Sequence, residues 1–246
     1  MPKLMDTTME QLNTASNYKF SAVKVDELGA SEYTLVTIAQ DTSGSVSAFR
    51  ADMENCLKVI MASCKKSPKS ENLMMRLISF SDDLQELHGF KLLDTINDTD
   101  YDNILSIGGY TALFDAVQSS VEATAQYSET LRSQDFLSNA IIFIITDGDD
   151  NASRATANSV KKAIATAIKS EVLESLTVVL VGVNTTDNMI ADCLQDFQKQ
   201  ADITQYVDIG TATAGKLAKL ANFVSQSISS TSQALGSGSA SQLLTF

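Results

Sequence analysis

The sequence predicts an α/β protein: a doubly wound, mostly parallel central sheet of Rossmann-like type, flanked by helices and carrying one antiparallel edge strand. Three observations carry that expectation. Strand-sized apolar runs occur at residues 33–40, 73–80, 140–145 and 176–183. Between them, apolar residues recur at helical spacing. The chain has 246 residues, 44% of them hydrophobic, with only 2 Pro, which is enough material for one substantial core.

Taken in order, residues 33–40 are rich in β-branched side chains and form the first buried strand. Phe49, Met53, Cys56, Leu57, Ile60, Met61 and Cys64 then mark one face of a helix. Lys65, Lys66 and Pro68 close it, with cations suited to a helix C-terminus and a proline that cannot continue it. Residues 73–80 form the second strand, and 84–93, set off by Asp82 and Asp83, an antiparallel third. A helix with Leu113, Val117 and Val121 on its inner face starts after Gly108-Gly109-Tyr110. Residues 140–145 are unbroken apolar sequence, as a central parallel strand covered on both faces requires. Val160, Ile164 and Ile168 mark the next helix, and residues 176–183 the next strand. Ile190, Cys193, Leu194 and Phe197 mark a further helix, 203–209 a short last strand, and Leu217, Leu220, Ala221 and Val224 a final helix.

Those elements delimit a domain over residues 31–224. Residues 1–30 read as an N-terminal extension with an edge strand near 20–25, and residues 225–246 as a flexible Ser/Gly-rich tail. The apolar end, Leu243-Leu244-Thr245-Phe246, reads as a frayed terminus.

Charge narrows the partners. Eighteen basic residues against 30 acidic ones give −12, the wrong sign for nucleic acid or an anionic membrane surface. No apolar run approaches the roughly 20 residues of a membrane-spanning helix, and the N-terminus lacks the apolar stretch of a secretion signal. Cys56, Cys64 and Cys193 are odd in number and form no CxxC pair, so a reducing, cytoplasmic setting is expected.

The chemistry sits where strands end. The first strand runs into Asp41-Thr42-Ser43-Gly44-Ser45 and the central one into Thr146-Asp147-Gly148-Asp149, while Gly108-Gly109-Tyr110-Thr111 opens a helix. In a parallel sheet the carboxyl ends of the strands share one edge, where ligands bind. If the first and central strands are neighbours, Asp41, Ser43, Ser45, Thr111 and Asp147 meet there. Two carboxylates and three hydroxyls, with no thiol or imidazole, suit a hard divalent cation; Mg²⁺ is the natural candidate, and Mn²⁺ and Ca²⁺ stay open. An ion held mainly by neutral oxygens remains electrophilic and attracts a carboxylate from outside, which is adhesion with no bond made or broken.

With these motifs the chain resembles a von Willebrand factor type A domain, over roughly residues 31–224. The family's metal-ion-dependent adhesion site combines D-x-S-x-S, a distant Thr and a distant Asp; Asp41, Ser43 and Ser45 match the first, Thr111 the second and Asp147 in Ile-Thr-Asp-Gly the third. The resemblance implies that Ser43, Ser45 and Thr111 touch the ion while Asp41 and Asp147 act through water, and that the first and central strands lie side by side. Tyr110 is a departure, since many members have Thr directly after Gly-Gly. The composition matches the family's intracellular bacterial, archaeal and phage members, which work beside AAA+ ATPases or in assemblies, so the expected partner is a protein offering a carboxylate.

Competing readings are bland or enzymatic. Asp and Ser are favoured helix caps, so D-x-S-x-S alone could be a cap cluster; Thr111 and Asp147 in register argue against it. Asp149, Asp150 and Asn151 lack the calcium-loop spacing and closing Glu, and read as loop and cap residues. His88 is the only histidine, which leaves zinc catalysis and a Ser/His/Asp triad without a basis, and no GxxxxGK[ST] loop is present. The enzymatic alternative is a Mg²⁺-dependent phosphoryl-transfer hydrolase of similar topology. Such enzymes typically carry a second carboxylate two residues after the nucleophilic Asp, where this chain has Ser43. A third reading is a structural subunit that uses the fold without metal.

Overall fold

A computed structural model describes residues 8–185, 188–237 and 242–246. Eight strands form one sheet: β1 (Met9–Asn13), β2 (Lys19–Val23), β3 (Glu32–Asp41), β4 (Leu73–Phe80), β5 (Leu84–Leu92), β6 (Leu137–Thr146), β7 (Leu176–Gly182) and β8 (Gln205–Asp208). Their spatial order is β1-β2-β5-β4-β3-β6-β7-β8. The strands β4, β3, β6, β7 and β8 are mutually parallel, and β5 runs antiparallel to β4. The helices are α1 (Arg50–Cys64), α2 (Leu113–Arg132), α3 (Ala157–Lys169), α4 (Asn188–Gln200) and α5 (Ala214–Ala234).

Strand alternation sorts the core into two faces. Val36 and Ile38 of β3, Leu77 of β4 and Ile141, Phe143 and Ile145 of β6 pack beneath α1 and α5. Ala39, Ile78, Ile142, Ile144, Val178 and Leu180 pack beneath α2, α3 and α4. This is a doubly wound sheet with helices on both faces. No described helix is long and apolar enough to cross a membrane.

The antiparallel strand lies where the sequence puts it, but the sheet continues past it. The extension adds a hairpin, β1 with β2, that joins β5 through a single parallel bridge between Ala22 and Phe90. Residues 1–7 of the extension lie outside the described residues. Gly89 makes the bridge feasible, because a Cβ there would collide with the Ser21 backbone.

Both helices marked by apolar spacing in the 160–168 and 190–197 stretches are present, and the structure shows which of those residues face inward. Ile168 is 59% exposed and Cys193 is exposed; the inner stripes are Val160, Ile164 and Ala167 on α3, and Leu194 and Phe197 on α4. Ile168 and Cys193 each stand one step around the helix from the buried stripe.

The tail is corrected. Residues 225–234 are helical, with Ser225, Ser227, Thr231 and Ser232 buried. The segment meets a polar foot of the sheet through its backbone: Asn139 Nδ2 donates to the Thr231 carbonyl at 2.7 Å, and Thr34 Oγ1 donates to Asn139 Oδ1 at 2.8 Å. Ser225 Oγ satisfies itself on the Ala221 carbonyl at 2.9 Å. Beyond residues 238–241, which lie outside the described residues, the chain end is docked. Gln205 Nε2 donates to the Leu244 carbonyl at 2.8 Å, Leu244 packs on the core beneath α5, and the Phe246 ring meets Phe223 edge-on at 5.9 Å.

Candidate metal site

β3 lies between β4 and β6, and Gln40 pairs with Ile145, so Asp41 and Thr146 leave the sheet at the same level of its carboxyl edge. Thr146 Oγ1 donates to Asp41 Oδ2 at 2.6 Å and joins the two strand ends. The other oxygen, Asp41 Oδ1, accepts the Ser43 N–H at 2.8 Å and curls the following loop into a short 3-10 turn, Gly44–Phe49. That turn brings Ser45 toward β6, where its Oγ donates to Asp147 Oδ1 at 2.7 Å. Ser45 has one proton and uses it on Asp147, so in its 3.1 Å contact with Ser43 Oγ it is the acceptor. Asp41, Ser43, Ser45 and Asp147 thus belong to one cluster, with Ser45 exposed and the other three buried.

Thr111 reaches the cluster from the start of α2. The Gly108-Gly109 turn docks on the 42–44 loop: Gly108 N–H donates to the Thr42 carbonyl at 2.9 Å and Gly44 N–H to the Gly109 carbonyl at 3.2 Å. Gly109 has φ +84°, and a Cβ there would strike the Asp82 carboxylate. Asp82 in turn accepts the Tyr110 N–H at 3.0 Å, which absorbs the extra residue and leaves the Tyr110 side chain 67% exposed. Thr111 is buried, with its Oγ1 3.7 Å from where a Cβ on Gly148 would stand. The five residues singled out by sequence therefore share one end of the sheet.

Burial raises both acids. Desolvation pushes the Asp147 carboxyl up to about 6; the Ser45 bond lowers it, and the charge of Asp41 raises it further. Asp41 is also raised by desolvation, against the hydrogen bonds from Thr146 and Ser43. Two adjacent carboxylates that are hard to ionise fit a position meant for a cation, whose charge would favour their ionised forms. Among the described residues no three His, Cys, Asp or Glu side chains gather into a metal-holding group. The donors here are predominantly hydroxyls, so the residues fit a small, oxygen-seeking ion.

Sequence reasoning assigned no role in the site to Thr146, Asp82 or Ser153, and read Asp150 and Asn151 only as loop and cap residues. Asn151 Oδ1 accepts the Thr111 N–H at 2.7 Å, Asp150 Oδ1 the Phe114 N–H at 3.2 Å and Ser153 Oγ the Asp115 N–H at 3.0 Å. The loop-and-cap reading of Asp150 and Asn151 becomes specific: Asp150 caps α2, and Asn151 holds the N–H of Thr111 one residue ahead of the cap. His88 stands on β5 away from this edge, with Nε2 2.9 Å from the Tyr101 hydroxyl.

No family model and no curated protein matches the chain. Solved structures do. A D319A mutant of the PilB minor pilin from Streptococcus sanguinis superposes with a TM-score of 0.60 at 14% identity, over 87% of this chain and 65% of that one. The pilus adhesin SpaC from Lactobacillus rhamnosus GG, in its open conformation, gives 0.58 at 13% identity, over 86% of this chain and 32% of that one. Proximal thread matrix protein 1 from the mussel byssus, solved with a zinc-occupied MIDAS motif, gives 0.50 at 20% identity, over 80% and 46%. The chain thus spans about two thirds or less of each of these proteins. At such identities the likeness is one of fold, and the fold is α/β and von Willebrand A-like.

Proposed function

We propose that the chain is a metal-dependent adhesion module that takes Mg²⁺ at the β3–β6 edge and, through the ion, a carboxylate of a partner protein. The observation that carries this reading is the hydrogen-bonded run Ser43–Ser45–Asp147, joined to Asp41 through the Ser43 amide. Ser43, Ser45 and Thr111 would hold the ion by their hydroxyl oxygens, with Asp41 and Asp147 behind its waters. When bound, the ion supplies an electrophilic position open to an outside carboxylate. Asp41 meanwhile fixes the Ser43 amide and the Thr146 hydroxyl, and Asp147 orients the Ser45 hydroxyl. The partner is a protein, such as an AAA+ ATPase or an assembly component. Three free cysteines support a reducing, cytoplasmic compartment. The reading is non-enzymatic, because Ser43 occupies the place where a phosphoryl-transfer site would need a second carboxylate.

Calorimetric titration with Mg²⁺ and Mn²⁺ tests it. Wild type should bind, Asp41→Ala should lose binding, and Ser45→Ala, at an exposed position with little bearing on folding, should weaken it about tenfold or more. Partner capture should vanish in EDTA. Mg²⁺-dependent hydrolysis of a generic phosphate ester, abolished by Asp41→Asn, would sink the adhesion reading in favour of the hydrolase.

A further inference from the structure

Thr111 and Asp147 come from different elements, and of the bonds that join those elements three involve the backbone of Thr111 itself. Its N–H donates to Asn151 Oδ1 at 2.7 Å, and its carbonyl accepts the N–H of Asn151 at 3.0 Å and of Ala152 at 3.2 Å. Both main-chain polar groups of Thr111 are therefore committed to the stretch just after Asp147. The result is the approach of Thr111 Oγ1 to Gly148. Helix N-termini leave donors that a preceding side chain usually caps. Here the N-cap residue is Ala112, which has no capping side chain; Asp150 and Ser153 accept the first-turn N–H groups of Phe114 and Asp115, and Asn151 accepts that of Thr111, one residue ahead of the cap.

We propose that Asn151 is a positioning residue of the metal site: its amide oxygen, through the Thr111 N–H, sets how far the Thr111 hydroxyl reaches toward the Asp147 loop. This rests on the metal-binding reading above. Asn151 does not touch the ion; it governs the geometry of a residue that does. A short side chain with one acceptor oxygen suffices, so Asp should replace it and Ala should not. Ser153 provides the internal control. It lies two residues on and caps the first turn of α2 on Asp115, away from Thr111. A merely stabilising cap predicts that losing either residue lowers the melting temperature and leaves ion affinity alone.

The test uses the full chain and Mn²⁺ or Mg²⁺ alone. Asn151→Ala should lower ion affinity about tenfold to a hundredfold, the range for residues that orient metal ligands. Asn151→Asp should restore affinity to within about threefold, and Ser153→Ala should lower the melting temperature with affinity retained. In the metal-free chain, exchange of the Thr111 amide should quicken in Asn151→Ala and stay slow in Asn151→Asp. Wild-type ion affinity in Asn151→Ala, with its Thr111 amide exchanging fast, overturns the proposal, as does an equal loss of affinity in Ser153→Ala. A wild-type chain that takes up no ion overturns the metal reading itself, and is seen before any variant is made.

Discussion

Asp147 and His88 are both desolvated, and desolvation moves their proton affinities in opposite directions. Asp147 is raised to about 6, so it contributes stability that is present below its ordinary value near 4 and lost as pH climbs through 6. His88 faces the Gly89 carbonyl through Nδ1 at 3.0 Å and the buried Tyr101 hydroxyl through Nε2, an arrangement met by a neutral ring with its proton on Nδ1. Burial holds it down at about 4, so its contribution is present above 6.5 and lost as pH falls through 4. Melting in EDTA across this range should separate the two. Asp147→Asn should exceed wild type by about 1 kcal/mol at neutral pH, after allowance for solvent screening, and the difference should shrink to nothing below pH 4. His88→Gln, relative to wild type, should improve steadily as pH falls from 6.5 to 4. The more stable Asp147→Asn chain should be the one that no longer takes up the ion, as expected where a site is held in a form that costs folding energy.

Among the strand pairings, that of the β1–β2 hairpin with β5 is the shortest, and the hairpin's other ties run to α2 through Tyr18–Asp115 and Tyr127–Val23. The hairpin meets the sheet at one bridge, reinforced by Glu86, whose Oε1 accepts both Ser21 N–H (2.8 Å) and Ser21 Oγ (2.6 Å). Glu86 Oε2 accepts Nε of the fully buried Arg76 at 2.9 Å, and that guanidinium lies 5.9 Å from the ring centres of Phe20 and Phe90. Gly89→Ala should force the two strands apart, lower stability by about 1–3 kcal/mol and open residues 8–24 to limited proteolysis. Elements with an apolar run or stripe, such as β3, β4, β6, α1 and α2, were legible in the sequence. β1 was not, because Met9-Glu10-Gln11-Leu12-Asn13 at a sheet edge carries too little apolar content to mark a strand. The Ser-rich end of α5 was misread because composition treats serine as solvated, whereas Ser225 bonds the helix's own Ala221 carbonyl and Asn139 anchors the segment at the Thr231 carbonyl. In the site, D-x-S-x-S stood out by its spacing. Asn151 and Thr146 did not, since each acts on a residue 40 or 105 positions away through contacts that only the folded sheet creates.

For the molecule as a whole, the apolar clusters on the two faces of the sheet hold the fold without recourse to the edge residues. Chelation should therefore leave far-UV circular dichroism unchanged. Mg²⁺ at about 100 times its dissociation constant should add about 2.7 kcal/mol, which is the linkage value for one site on the folded chain only. A melting temperature insensitive to Mg²⁺ at millimolar levels would count against the site.

The β3–β6 pairing also fixes when this edge can come into being. Ser45 and Asp147 are 102 residues apart, and β6 must slot in beside β3 after β4, β5 and α2 have been made. A nascent chain that has emerged only through α2 carries Asp41, Ser43, Ser45 and Thr111 but not Asp147 or Asn151. Long-range strand pairing of this kind is slow, because the chain entropy of closing the loop is lost before the contacts form. An ion therefore cannot nucleate folding from the N-terminal half. On the metal reading proposed above, it can select only chains whose sheet assembly has taken in residues up to 151, so a pulse-labelled chain should become able to take up the ion abruptly, once that segment has emerged and paired, and not by degrees.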